Sequence, residues 1–184
     1  MENLNEHNKT EYPPMHTTEH IVNRAMINLF GCGRSIEAHI ERKKSKLDYR
    51  LDHCPTEDEV QRLEQTVNEV IGQNLDVSVE FITQAEAQNR FDLTRLPENA
   101  SETVRVVKVG NYDECLCIGL HVTNTSEIGT FKIISHDWDE GRGTETLAAT
   151  VQIGIAPNGI FATFAQFRLS EINIANNNNT NNYE

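Results

Sequence analysis

Apolar residues in this chain recur at two different periods, and the order in which those periods alternate constrains the fold more than any other feature. From Thr17 to Phe30, Ile21, Val22, Ala25, Met26, Leu29 and Phe30 fall at three- and four-residue steps and Gly31 stops the run, which predicts an amphipathic helix. Pro55 and a capping box, Thr56 to Glu59, open a second helix carried by Val60, Leu63, Val67, Val70 and Ile71 and ended by Gly72 and Asn74. Elsewhere the period is two. Ile36–Glu41 and Lys46–Leu51 alternate around the polar Arg42–Ser45 connection, predicting a hairpin that buries Ile36, Ala38, Ile40, Leu47, Tyr49 and Leu51. Asp76–Thr83 reads as a strand and Gln84–Arg90 as a short helix before a loop at Leu96–Asn99. Thr103–Val109, Glu114–Ile118 and Ile128–Ser135 read as an antiparallel meander, Thr146–Ile155 as a further strand and Ile160–Leu169 as a helical face. The expected fold is α+β, with helices packed on one face of a mainly antiparallel sheet.

At 184 residues the chain is long enough to bury one core. The expected organisation is a flexible segment over 1–13, one domain over 14–174, and a polar Asn-rich tail over 175–184 that cannot bury enough apolar area to order itself. Neither apolar run, Ile21–Phe30 or Ile153–Phe167, reaches the roughly 18 to 20 residues a membrane helix needs. The first residues lack the basic and apolar regions of a secretory signal, so the cytoplasm is the expected compartment and Cys32, Cys54, Cys115 and Cys117 are expected to stay reduced. A formal charge of −12 argues against generic nucleic-acid binding. One basic patch survives: Arg34–Arg50 carries six basic residues against three acidic, a local +3, while the remainder carries −15.

Two short spacings carry chemistry. His16 and His20 stand four apart, so a helix projects both imidazoles from one face, one turn apart. Cys117 and His121 repeat that separation, with Gly119 between them to let the backbone bend. The histidine pair alone also arises by chance on a solvated helix face; together the two pairs make a plausible tetrahedral nitrogen and sulfur set, for which zinc is the natural ion. Cys32, Cys54 and Cys115 read as ordinary thiols, and His39, His53 and His136 as histidines without a metal. Lys43, Lys44 and Lys46 read as a hairpin tip, either simply solvated or touching phosphate, and Trp138 as a lone aromatic that could stack on a base.

His16–His20 followed by Ile21-Val22, the Lys44–Tyr49 strand, Val104-Arg105-Val106-Val107, and above all Cys117-x-Gly-x-His121-Val122-x-Asn124-Thr125-x-Glu127-Ile128-Gly129-x-Phe131-Lys132-Ile133 resemble the AlaX proteins, free-standing relatives of the alanyl-tRNA synthetase editing domain. The resemblance spans roughly residues 14 to 150. It implies a zinc-dependent hydrolase that acts in trans on mischarged alanine tRNA, cleaving the ester that holds serine or glycine at the 3′ end. It also carries the family's zinc ligands over to His16, His20, Cys117 and His121, and makes tRNA contact at Lys43, Lys44 and Lys46 more credible. No aminoacylation is expected, because no phosphate-cradling Gly-rich loop precedes a helix. The chain departs from the family where Ile118-Gly119-Leu120 replaces Gly-Gly-Thr, removing a hydroxyl, and where His136–Glu140 is acidic. Two rival readings stand beside the first: a seryl-tRNA(Thr) deacylase, and a non-catalytic, zinc-stabilised binding module derived from an editing domain.

Overall fold

A computed structural model describes residues 12–94, 96 and 101–152. The first helix, α1, runs Pro13–Phe30. It begins earlier than periodicity predicts, because Pro13 and Pro14 occupy the first turn, where a missing amide hydrogen breaks no helical bond. Gly31 ends it in the left-handed region at φ 66°. Met15, Ile21, Val22 and Met26 are buried along one face, each stabilising the fold by roughly 1.5–3 kcal/mol.

The hairpin comprises β1 (Glu37–His39) and β2 (Ser45–Arg50), but only β2 shows the expected alternation, with Leu47 and Tyr49 buried. Ile36 and Ala38 are exposed instead. The reason is position: β1 lies at one edge of a four-stranded sheet ordered β1-β2-β7-β6, packs mainly on β2, and has no helix among the described residues packed over its face. The second helix, α2 (Glu57–Ile71), starts at the predicted capping box, in which Thr56 Oγ1 accepts from the Glu59 amide and the Glu59 carboxylate accepts from the Thr56 amide at 2.8 Å. The remaining elements are β3 (Val77–Thr83), α3 (Gln84–Ala87), β4 (Thr103–Val109), β5 (Asp113–Leu116), a 3-10 turn (Thr125–Glu127), β6 (Thr130–Asp139) and β7 (Thr144–Gln152).

These elements confirm an α+β fold built on antiparallel pairing, divided between two sheets. The expected meander is corrected at its third strand. β4 and β5 pair within a three-stranded sheet ordered β3-β4-β5, whereas β6 joins the other sheet beside β7. A tight turn with Gly143 at φ 58° closes β6 onto β7, while the irregular stretch after β5 is too long to act as a hairpin loop. Trp138, expected as a possible base-stacking ring, is half-buried and packs against the core.

The main core joins α1, α2 and the four-stranded sheet through Met26, Leu63, Val67, Tyr49, Phe131 and Leu147, among others. A second cluster, Ile82, Ala87, Val104 and Val106, lies on one face of the three-stranded sheet; alternation along β4 puts Arg105, Val107 and Val109 on the other. Helix α1 contacts β4, β5 and β7, so it touches both sheets. That contact is what brings the first helical turns to the end of β5. Among the described residues no helix is long and apolar enough to cross a membrane. The expected segments over 1–11 and 153–184, including Ile160–Leu169 and the Asn-rich tail, lie outside the described residues.

Candidate metal centre

The last hydrogen bond of the β4–β5 ladder is made by Cys117, whose amide donates to the Arg105 carbonyl at 3.1 Å. The chain then leaves the sheet and bends, and the Arg105 side chain holds the bend. Its Nη1 donates to the Cys117 carbonyl at 2.7 Å and to the Gly119 carbonyl at 2.9 Å, charge-assisted bonds worth more than neutral ones. The bend presses Gly119 against α1 so closely that a Cβ there would lie 2.1 Å from His16 Cε1. A larger residue would have to displace the His16 ring or the loop, so glycine is favoured here for want of space rather than for backbone freedom.

Beyond His121 the chain runs on as an irregular loop. The Val122 amide donates to Thr17 Oγ1 on α1 at 3.2 Å, and the same oxygen lies 3.1 Å from His121 Nδ1. Thr17 therefore ties the loop to the helix and fixes the ring of His121. The Asn124–Gly129 run, noticed in the sequence as a signature, has a structural role. Glu127 Oε1 accepts from the amides of Thr123 and Asn124 at 3.0 Å, Thr125 Oγ1 accepts from the Leu75 amide at 2.9 Å, and the Thr125 hydroxyl donates to Ile71 O at 3.0 Å. These bonds pin the loop to the end of α2.

With helix and loop so placed, one donor atom from each of His16, His20, Cys117 and His121 lies within 4.8 Å of the others. Cys117 Sγ is 3.4 Å from His16 Nε2 and 3.4 Å from His121 Nε2. A tetrahedral ion with bonds of about 2.0–2.3 Å separates its ligands by roughly 3.3–3.8 Å, so these contacts have the right size. The protonation states fit as well. Burial, with neighbouring His121, Arg34, His16 and Arg105, drives the His20 pKa well below its ordinary value, and burial, with His16 and Arg105, brings that of His121 down to about 3. Neutral imidazoles with a lone pair to give are what a metal requires. His20 is 2% exposed, whereas His16, Cys117 and His121 are half-buried and open toward solvent.

Several charged groups around the cluster went unassigned in the sequence. Asp113 is buried and holds Arg24 Nε at 2.9 Å and Arg34 Nη2 at 2.6 Å, and its Oδ2 lies 3.8 Å from His20 Nδ1. Burial raises the Asp113 carboxyl above its ordinary value, and the two arginines only partly oppose that shift. Glu19, between the two helical histidines, places Oε2 at 3.8 Å from His20 Nε2 and accepts at Oε1 from Asn23 and Ser35. Period-two alternation puts Asp113 and Cys115 on one side of β5, the side from which Cys117 follows, and that signal could have flagged Asp113. Cys115 stays a thiol: burial raises its pKa to about 11. Among the described residues the cluster contains neither Cys32 nor Cys54. Lys43, Lys44 and Lys46 are exposed at the β1–β2 connection and at the start of β2.

Residues 104–146 match the family described as the threonyl and alanyl tRNA synthetase second additional domain. Among curated proteins, the alanine–tRNA ligase of Exiguobacterium sibiricum is 32% identical over 154 residues, covering 82% of this chain and 17% of the ligase. Those of Fervidobacterium nodosum and Listeria innocua are 36% identical over 121 residues and 35% over 141, covering 65% and 73% of this chain but 14% and 15% of theirs. The matched stretch is thus less than a fifth of each ligase.

Proposed function

The chain belongs with the AlaX-like relatives of the threonyl and alanyl tRNA synthetase second additional domain, and from that premise we propose that it is a zinc-dependent hydrolase that edits tRNA in trans. Its substrate is the ester at the 3′ end of alanine tRNA wrongly charged with serine or glycine. The observation that carries this reading is the convergence of His16, His20, Cys117 and His121 around one point. Three nitrogens and one sulfur are a zinc donor set, and a bound zinc ion supplies a Lewis acid for the ester carbonyl or for a water.

The protein's own groups divide the remaining work. His20, deep in the fold, anchors the centre, and His16, Cys117 and His121 form its open side. Arg105 and Thr17 hold the loop and the His121 ring in place, so that little reorganisation is needed when substrate arrives. Ile118 and Leu120, 94% and 60% exposed, flank the buried Gly119 and offer an apolar rim on which a nucleoside or a small side chain can rest. With Leu120 there is no hydroxyl at that position to greet serine, so serine is expected to be read elsewhere in the pocket. Lys43, Lys44 and Lys46 are the proposed phosphate contacts on an otherwise acidic chain.

The decisive experiment is deacylation of seryl-tRNA(Ala) and glycyl-tRNA(Ala), with seryl-tRNA(Thr) in parallel, by wild type, Cys117→Ala and chelated protein. The reading expects turnover of an alanine tRNA that is lost in both treated samples and restored to wild type by zinc. Turnover confined to the threonine tRNA would transfer the activity to that substrate. Zinc uptake without hydrolysis of any of the three, and without a tRNA gel shift at low salt, would replace the enzyme with a binding module.

A further inference from the structure

His20 presents a choice that the other three donors do not. Its ring is buried, and to ligate an ion it must offer the lone pair of one nitrogen while the other carries the proton. Each nitrogen faces a carboxylate oxygen at 3.8 Å: Nδ1 faces Asp113 Oδ2, and Nε2 faces Glu19 Oε2. The two sides are not equivalent. His20 Nδ1 and Asp113 Oδ2 are both buried and neither has a hydrogen-bond partner among the described residues. Two orphaned polar atoms buried 3.8 Å apart cost desolvation energy unless they meet. A closure of roughly 1 Å would bring them to ordinary hydrogen-bond distance.

Asp113 is equipped to accept. Its other oxygen is engaged by the guanidinium groups of Arg24 and Arg34, which leaves Oδ2 as the free acceptor. Glu19, by contrast, is held through Oε1 by the neutral donors Asn23 and Ser35. We propose that Asp113 is a positioning residue for the metal centre: it takes the Nδ1 proton of His20, fixes the tautomer, and so leaves Nε2 as the lone pair offered to the ion. Arg24 and Arg34 act one step further out by holding Asp113 in place. This inference rests on the reading of the four side chains as metal ligands, and it extends that site outward to a carboxylate and two arginines.

Asp113→Asn gives the sharp test. The arginines need an acceptor, so the amide oxygen of the variant stays on their side and its NH2 faces His20. That group donates to Nδ1, reversing the polarity of the contact and placing the ring proton on Nε2, where it blocks ligation. Long-range 1H–15N spectra of the metal-free, full-length chain should show His20 protonated at Nδ1 in wild type and at Nε2 in Asp113→Asn. Zinc affinity, measured by competition with a chromophoric chelator, should fall about 10- to 100-fold in Asp113→Asn, the usual cost of a lost outer partner. Asp113→Ala should be no worse for zinc, although it loses more arginine contact and melts at a lower temperature.

A merely structural role would give the opposite order, with Asp113→Ala worse than Asp113→Asn in both melting and zinc binding and the tautomer unchanged. That order, or a wild-type His20 protonated at Nε2, would overturn the proposal. If wild type takes up no zinc, the metal reading fails by itself, and the tautomer spectra of the metal-free chain still decide the role of Asp113.

Discussion

Asp113 and Glu145 are both carboxylates buried inside this chain, and each turns an oxygen toward the Nδ1 atom of a histidine, His20 at 3.8 Å and His136 at 3.2 Å. What surrounds the two pairs differs. Asp113 is backed by Arg24 and Arg34, and its histidine sits among His16, Cys117 and His121. Glu145 has no arginine partner among the described residues, and the far nitrogen of His136 meets Glu57 at the surface, 3.3 Å away. The same two side chains therefore serve two ends. One pair faces further nitrogen and sulfur donors and can orient a ligand, whereas the other joins β6 and β7 to the start of α2. The context of the second nitrogen, rather than the pairing itself, distinguishes a site from a strut.

The largest expected effect breaks the first pair's surroundings and leaves the second alone. Cys117→Ala should weaken zinc binding and deacylation beyond the roughly 100-fold cost typical of an outer partner, with little change in the melting of the metal-free protein. Retained zinc and full activity would erase the functional side of the comparison. Gly119→Ala comes next. Its methyl group must displace the His16 ring or the loop, a strain of about 1–3 kcal/mol, so zinc affinity and turnover should fall while the distant core stays intact by circular dichroism.

Glu145→Gln should act in the opposite direction. Burial raises the Glu145 carboxyl above its ordinary value, with His136 opposing that shift. The folded chain therefore keeps this proton to higher pH than the unfolded chain does. This group's contribution to stability is lost as pH rises from about 4.5 through the folded value, a loss that glutamine does not suffer. The variant should melt above wild type at pH 7, the gap should close toward pH 4, and zinc affinity should not move; a change in zinc binding would show that the two pairs are coupled. The smallest effect is that of Thr56→Ala, which removes the cap of the helix that carries Glu57. It should cost about 1 kcal/mol, roughly 2–4 °C in melting temperature, without altering deacylation.

Local rules made part of this legible in the sequence. The capping box of Thr56 and Glu59 and the helical period that follows need only neighbours along the chain, and both elements stand where they were read. The same signature stands at Thr83 with Glu86, and an asparagine version at Asn124 with Glu127, where they cap α3 and the 3-10 turn in the same way. The buried face expected for Ile36 and Ala38 did not form, because period two says which residues share a face and not whether anything covers it. The strand that carries Arg105 is legible from its pattern, yet the hold of Arg105 on Cys117 and Gly119 depends on where β5 ends.

By itself the sequence determined which residue types could ligate an ion, at what spacing, and on which faces of a helix and a strand end, because those relations follow from the repeat of the backbone over a few residues. Only the tertiary structure decided that a helix contacting two sheets would carry His16 and His20 to a loop a hundred positions away, that β6 would abandon β5 for β7, and that Asp113 rather than Glu145 would stand behind a donor cluster. The physical reason is that burial and the pairing of distant charges depend on which surfaces the core brings together, and no local period encodes that choice.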